Sequence, residues 1–281
     1  MDLQNIIVEI SKSDPEVYDR LDGRRESLKK FSRFAGKVAL ASIPFAFGSL
    51  FKRAYAGTTG TNDIITDVLN FALTLEYLEA EFYQKGLDAA GLIPAGAARN
   101  AIQTIANHEA AHVTFLKSAI AGAGGTAVPK PTFDFSAGNG SGNGPFKTVF
   151  TDYTIFLAVA QAFEDTGVRA YKGQAGNLIS NNDVLTAALN IHSVEARHAS
   201  HIRQMRRATG ANVKPWITGK DTGGIGAGVQ PVYDGEENTK QATIEIVNIN
   251  GMAITADDAT EAFDEPLTKD QVLAIVDPFI A

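Results

Sequence analysis

Residues 109–117 read Glu109-Ala110-Ala111-His112-Val113-Thr114-Phe115-Leu116-Lys117, and residues 195–203 read Glu195-Ala196-Arg197-His198-Ala199-Ser200-His201-Ile202-Arg203. Both open with Glu-Ala-x-His. Each is preceded by a glutamate whose seventh following residue is tyrosine, Glu76 with Tyr83 and Glu164 with Tyr171. The interval from the first glutamate to the second is 33 residues in one copy and 31 in the other. This is a two-fold internal repeat of a two-helix unit. On a helix, Glu and His three apart project from one face, and Glu and Tyr seven apart lie two turns apart on one face.

Around these motifs, helical periodicity dominates residues 62–210 and predicts four helices. They run from about Asn62 to Gly86, from near Pro94 to before Gly122, from about Pro145 to Gly173, and from after Asn181-Asn182 to Gly210. The first-to-second and third-to-fourth connections are short, so each pair is an antiparallel hairpin. The stretch from Gly122 to Gly144 is rich in Gly, Pro, Ser and Asn and has no periodicity. At about 3.3 Å per extended residue it can pass the length of a bundle whose helices rise about 1.5 Å per residue. The third helix is therefore expected to start at the end opposite to where the second one stops.

If the four marked faces turn inward, the interior holds Glu76, Glu109, Glu164 and Glu195 with His112 and His198. Four carboxylates in an apolar interior must protonate or meet cations. Two divalent metal ions would balance four negative charges. Carboxylate with imidazole suits iron or manganese and also accepts zinc.

In these residues the chain resembles the ferritin-like di-iron-carboxylate family, and within it the bacterial exported ferritin-like proteins related to plant desiccation-associated proteins. The phrases Asn70-Phe71-Ala72-Leu73-Thr74-Leu75-Glu76-Tyr77-Leu78-Glu79-Ala80 and Ala162-Phe163-Glu164-Asp165 carry the likeness, which spans about residues 62–210. The resemblance implies an all-α, ferritin-like four-helix bundle with a long crossover between helices 2 and 3. It implies a centre of two Fe ions, with Mn or a mixed Fe/Mn pair as alternatives. Glu109 and Glu195 would bridge the metals, Glu76 and Glu164 would be terminal ligands, and His112 and His198 would sit one on each metal. The implied chemistry is Fe(II) oxidation or activation of O2 or peroxide, with metal ions and O2 or peroxide as partners. The competing expectation is a non-catalytic stress- or desiccation-associated bundle whose metal only holds the helices together. An iron-storage shell gains little support, because the crossover is a glycine-rich loop, and the oligomeric state stays open.

Neighbouring residues allow more than one reading. Tyr83 and Tyr171 are candidates to hydrogen-bond the ligands or to take part in redox chemistry, with simple packing as the equal alternative. Glu79, one turn beyond Glu76, is a candidate to support the ligands or to replace one. Glu81 points from another face and is expected in solvent. His108-Glu109-Ala110-Ala111-His112 matches the His-Glu-x-x-His pattern of zinc proteases. The repeat argues against that reading, because Val194 stands where a second His108 would be. His192 and His201 flank the fourth-helix motif and are expected at the surface.

The ends differ from this body. Residues 1–56 hold ten Lys/Arg and seven Asp/Glu, which leaves 15 basic and 25 acidic residues in 57–281. An acidic body suits cations and argues against nucleic acid as a partner. Arg24-Arg25-Glu26-Ser27-Leu28-Lys29, the apolar run from Val38 to Phe51, and Ala54-Tyr55-Ala56 resemble a twin-arginine export signal. That predicts a protein exported to the periplasm or cell envelope, with no stable membrane span after processing. The absence of cysteine excludes disulfides, thiolate zinc sites and iron–sulfur clusters. The expected division is 1–56 signal, 57–210 bundle and 211–281 a small mixed C-terminal extension. In that extension Ala242 to Ile249 alternates, Asn250-Gly251 reads as a hairpin turn, and Thr268 with Gln271 reads as the cap of a helix over Lys269 to Val276. Gly219 to Gly228 lacks the ending of a phosphate loop and reads as a plain loop.

Overall fold

The computed structural model describes residues 61–281, so the twin-arginine-like segment lies outside the described residues. Four long helices form the bundle: α1 (Thr61–Asp88), α2 (Ala97–Gly122), α3 (Tyr153–Gln174) and α4 (Asn182–Ala208). Their boundaries follow capping chemistry. Helix α3 begins at Tyr153 rather than near Pro145, because the Asp152 carboxylate accepts from the backbone of Thr154 and Ile155. Residues 145–151 instead form turns tied to the crossover through Phe146 N and Ser136 O. Asn181 caps α4 through Val184 N. Helix α2 starts at Ala97, after Gly96 at φ +88°, a conformation that favours glycine.

The crossover runs along α1 from its beginning to its end. Early on, the Asn70 side chain donates to Thr126 O (3.1 Å) and accepts from Val128 N (2.8 Å). Three turns on, Lys130 pairs with Glu81, which also meets Lys85 at 2.9 Å. Glu81 is thus half-buried and ion-paired rather than merely solvated. Further along, Phe135 packs on Phe82. Phe156 then stacks on Phe82 with ring centroids 4.8 Å apart. Gly86 makes that approach feasible, since a Cβ there would come within 2.3 Å of the Phe156 ring. Helix α3 therefore starts beside the end of α1, opposite to where α2 stops.

Residues 211–281 pack against the outer face of α3. As a result α3 is buried without interruption from Phe156 to Tyr171. Gln161, Asp165 and Arg169, spaced by four, form the polar line that receives this layer. Arg169 is 1 % exposed and donates to the carbonyls of Glu265 (2.8 Å), Asp234 (2.9 Å) and Val232, and pairs with Glu236 at 2.7 Å. The buried Tyr233 hydroxyl donates to Asp165 (2.9 Å) and accepts from Gln161 (2.9 Å). Arg203 of α4 also grips Asp165, and Arg206 donates to Gln161 Oε1. Gly173 lies so close to this layer that a Cβ would fall 1.9 Å from Leu267 O.

Within the layer are short helices α5 (Gln230–Tyr233), α6 (Ala256–Glu261) and α7 (Lys269–Val276). The Thr268–Gln271 capping box opens α7 as the sequence predicts, and a second box, Thr255–Asp258, opens α6. The hairpin forms elsewhere than expected. Strand β1 (Lys240–Gln241) pairs with β2 (Ile244–Glu245) around Ala242 and Thr243, at φ +48° and +72°. Asn250-Gly251 belongs instead to a 3₁₀ turn. The alternating residues find no face to bury: Ile244 is 55 % and Met252 53 % exposed, so nothing rewards a longer ladder. Among the described residues no helix is long and apolar enough to cross a membrane.

Removing one partner of a buried ion pair leaves an uncompensated charge, at a cost of about 3–5 kcal/mol. Arg169→Met is expected to lower the unfolding free energy by that order in chemical denaturation. The double variant Arg169→Met/Glu236→Gln should recover part of the loss, because no carboxylate is then stranded.

Candidate metal centre

Each bundle helix brings glutamate to one level of the interior. Helices α1 and α3 supply Glu76 and Glu164; α2 supplies Glu109 and His112; α4 supplies Glu195 and His198. All four glutamates are 0 % exposed, and the two histidines 8 % and 5 %. The six side chains form two overlapping groups. Glu76, Glu109, His112 and Glu195 each offer one donor atom within 4.8 Å of the others, and so do Glu109, Glu164, Glu195 and His198. Glu109 and Glu195 belong to both. His112 Nδ1 lies 3.1 Å from Glu76, 3.0 Å from Glu109 and 3.1 Å from Glu195. His198 Nδ1 lies 2.8 Å from Glu109, 3.3 Å from Glu164 and 3.8 Å from Glu195.

The donors converge without satisfying one another. Glu109 Oε1, Glu164 Oε2, both carboxylate oxygens of Glu195 and His198 Nδ1 are buried and have no aligned hydrogen-bond partner. An unsatisfied buried polar atom costs about 1–3 kcal/mol, and more when charged. A divalent cation accepted by these lone pairs would remove that cost. Oxygen and imidazole donors in this mix fit iron, manganese or zinc. Comparison with protein-family models matches the Ferritin-like domain over residues 65–208, just over half of the chain. The chain belongs to the ferritin-like domain family. Comparison with curated proteins finds no match.

In this ferritin-like domain the protons are held by the carboxylate–imidazole cluster. Burial pushes Glu76 up to about 8, with Glu195 and Glu109 adding to the shift and His112 opposing it. Burial likewise drives Glu164 well above the carboxylate range, against the pull of His198. Burial alone would lower the imidazoles. Glu164, Glu109 and Glu195 overcome it and push His198 up to about 12, and Glu76, Glu109 and Glu195 raise His112 further still. Glu195 runs the other way: burial opposes its charge, but His112 and His198 together hold it far below the usual range.

The two tyrosines are reciprocal struts between the helix hairpins. Tyr83 of α1 donates to Glu164 Oε1 of α3, and Tyr171 of α3 donates to Glu76 Oε1 of α1, both at 2.5 Å. Each fixes one glutamate oxygen and leaves the other facing the cluster. Around Tyr83 the space is filled by Phe82 and Phe156. Beside Tyr171 an apolar cavity remains, lined by Ala72, Leu75, Leu116, Ala188 and Ile191 among others. It has room for one small molecule.

Glu79 stands beside the two donor groups, not within them. It is 3 % exposed and lies against Gly167, where a Cβ would be 3.4 Å from Glu79 Oε1 and 3.6 Å from Glu195 Oε2. Burial, then Glu195, Glu164, Glu109 and Glu76, keep its carboxyl well above the usual range. The sequence pattern set His108 aside as a chance protease match. Its Nδ1 lies 2.9 Å from His198 Nε2, with the rings nearly parallel. Among the described residues it joins neither donor group, so the protease reading gains no support from the geometry. The one signal that could have marked His108 is the break in the repeat at Val194. His192 is half-buried, with Nδ1 3.0 Å from Val168 O, and His201 is exposed.

The raised groups set the pH dependence of the metal-free protein. Glu76 contributes stability that is fully present below its unfolded value near 4.5 and is lost as pH rises through about 8. His198 does the same from 6.5 towards about 12. After chelation, the melting temperature is expected to fall steadily from pH 6 to pH 9. Stoichiometric divalent metal should flatten or reverse that trend, because metal replaces the protons. Thermal melts with and without chelator check both.

Proposed function

We propose that this ferritin-like domain holds two metal ions, iron or with manganese in one or both positions, and uses them for Fe(II) oxidation or for O2 or peroxide chemistry. The observation that carries the reading is the pair of overlapping donor groups sharing Glu109 and Glu195. Glu109 and Glu195 would be shared by the two ions, Glu76 and Glu164 would each serve one as terminal ligands, and His112 and His198 would bind one ion each. Two redox-active ions there would supply the electrons that reduce oxygen or peroxide.

The chain's own residues set the conditions. The buried helix faces exclude bulk water. Tyr83 and Tyr171 hold Glu164 and Glu76 in orientation and each keeps a hydroxyl proton within 2.5 Å of a ligand oxygen. Glu79 adds a fifth carboxyl close to the cluster, in position to replace a ligand or to hold a proton. The cavity beside Tyr171 suits a small apolar reactant such as O2.

A structural role is the second reading, and one observation favours it: the six ligands come from all four helices, so two ions would tie the bundle together. The two readings separate in one experiment. Anaerobic Fe(II) titration of the full chain is expected to saturate near two irons, with binding lost in Glu109→Ala. Admission of O2 should then change the absorbance in step with iron oxidation. Two bound ions with no response to O2, and a bundle that melts on metal removal, would favour the structural role. No stoichiometric binding would overturn both.

We also infer export. Arg24-Arg25, the apolar run and the Ala54-Tyr55-Ala56 pattern support it, and the twin-arginine route carries folded, metal-loaded proteins. Replacing both arginines with lysine should retain the full-length chain in the cytoplasm, as read by fractionation and N-terminal sequencing.

A further inference from the structure

The two halves of the centre are nearly interchangeable, so whatever distinguishes them is informative. The shared glutamates serve both positions. The tyrosine struts are equal, at 2.5 Å each. Glu79 has no counterpart, because Gly167 stands at the equivalent place, but it belongs to neither donor group and so favours neither position. Apart from the apolar cavity beside Tyr171, which touches no donor atom of the two groups, the remaining difference is at the imidazoles. His198 turns Nδ1 to the carboxylates and Nε2 to His108 Nδ1, 2.9 Å away. His112 also turns Nδ1 to the carboxylates, yet no hydrogen bond to its Nε2 is found among the described residues. The repeat explains why: His108 precedes Glu109, while Val194 precedes Glu195.

We propose that His108 is a positioning residue that makes the two metal positions inequivalent, so that the one formed by Glu109, Glu164, Glu195 and His198 fills first and holds its ion more tightly. This rests on the dimetal reading above. The chemistry is that of an oriented ligand. An imidazole that gives its Nδ1 lone pair to a metal carries its proton on Nε2. That N–H needs an acceptor, and His108 Nδ1 is in place to accept it. The near-parallel rings, with centroids 5.2 Å apart, restrict rotation of His198 further. Outer partners of this kind typically change metal affinity 10–100-fold. His112 must order its ring on binding, without such a partner.

The test is anaerobic titration of the full-length protein with Fe(II) alone, followed by calorimetry. The wild type is expected to bind two ions in two steps separated by about 10–100-fold in affinity. His108→Val, which copies the residue at the equivalent place in α4, should still bind two ions but with the tighter step weakened until the two merge. His108→Asn keeps an acceptor near the Nδ1 position and should restore the separation. A change of fold would weaken both steps together and lower the melting temperature of both variants, which the asparagine rescue and a parallel melt distinguish. Two ions bound in a single step by the wild type, or an unchanged separation in His108→Val, would overturn the proposal while leaving the dimetal reading standing. Failure to bind iron at all, or binding that survives Glu109→Ala, would overturn the dimetal reading and this inference with it.

Discussion

Four glutamates packed at one level inside an apolar bundle are the constraint on which the rest of this structure depends. The chain has paired them with two imidazoles and two tyrosine hydroxyls, and the sum is still incomplete. Several oxygens point into shared space with no aligned donor. A fold meant only for stability would replace such a cluster with well-packed apolar side chains, which is often neutral or stabilising. Retaining it makes sense if the lone pairs are reserved for cations. The helices, their lengths and the crossover then follow as the means of bringing two copies of one helical hairpin face to face.

The reciprocal tyrosines show how that pairing is held. Each hairpin contributes a hydroxyl that fixes a glutamate of the other, so neither hairpin completes its ligand positions alone. Helix α3 carries a second duty. Glu164 faces the centre while the adjacent Asp165 faces Arg203 and Tyr233, and Arg169 is gripped by the C-terminal layer. One helix therefore joins the ligand cluster to residues far along the chain. This is why α3, rich in Ala and Gly, is buried on both sides. A third apolar element could have covered it, but polar anchors at Gln161, Asp165 and Arg169 also fix how the layer sits.

The bundle and the convergence of the six glutamate and histidine side chains were legible because periodicity is local. Glu109 with His112, and Glu195 with His198, declare a shared helical face over three residues, and the repeat declares that the faces meet. The parts that were not legible depend on partners far away in sequence. Nothing near Arg169 announces that carbonyls of residues 232, 234 and 265 will surround it. The hairpin at 240–245 displaced the one expected around Asn250-Gly251 because an alternating pattern predicts a strand only where a face is available to bury it. The start of α3 moved to Tyr153 because one capping aspartate outweighed a proline that is equally at home in a turn.

His108 illustrates the same limit from the other side. Read locally, it completes a familiar metal-protease pattern. Read through the repeat, it is an exception to symmetry, and only the structure shows which ring it addresses. A duplicated hairpin begins with two equal halves, and equal halves give two equal metal positions. Redox chemistry on a substrate that arrives from one side gains from positions that differ, one held firmly and one free to change its ligands. The apolar cavity lies beside Tyr171, which holds Glu76, a member of the donor group of the proposed His112 position. The imidazole with a fixed partner belongs to the other position. Both departures from symmetry thus fall so as to leave the same proposed position more adaptable, an asymmetry that the proposed oxygen chemistry would use and that merely tying four helices together would not require.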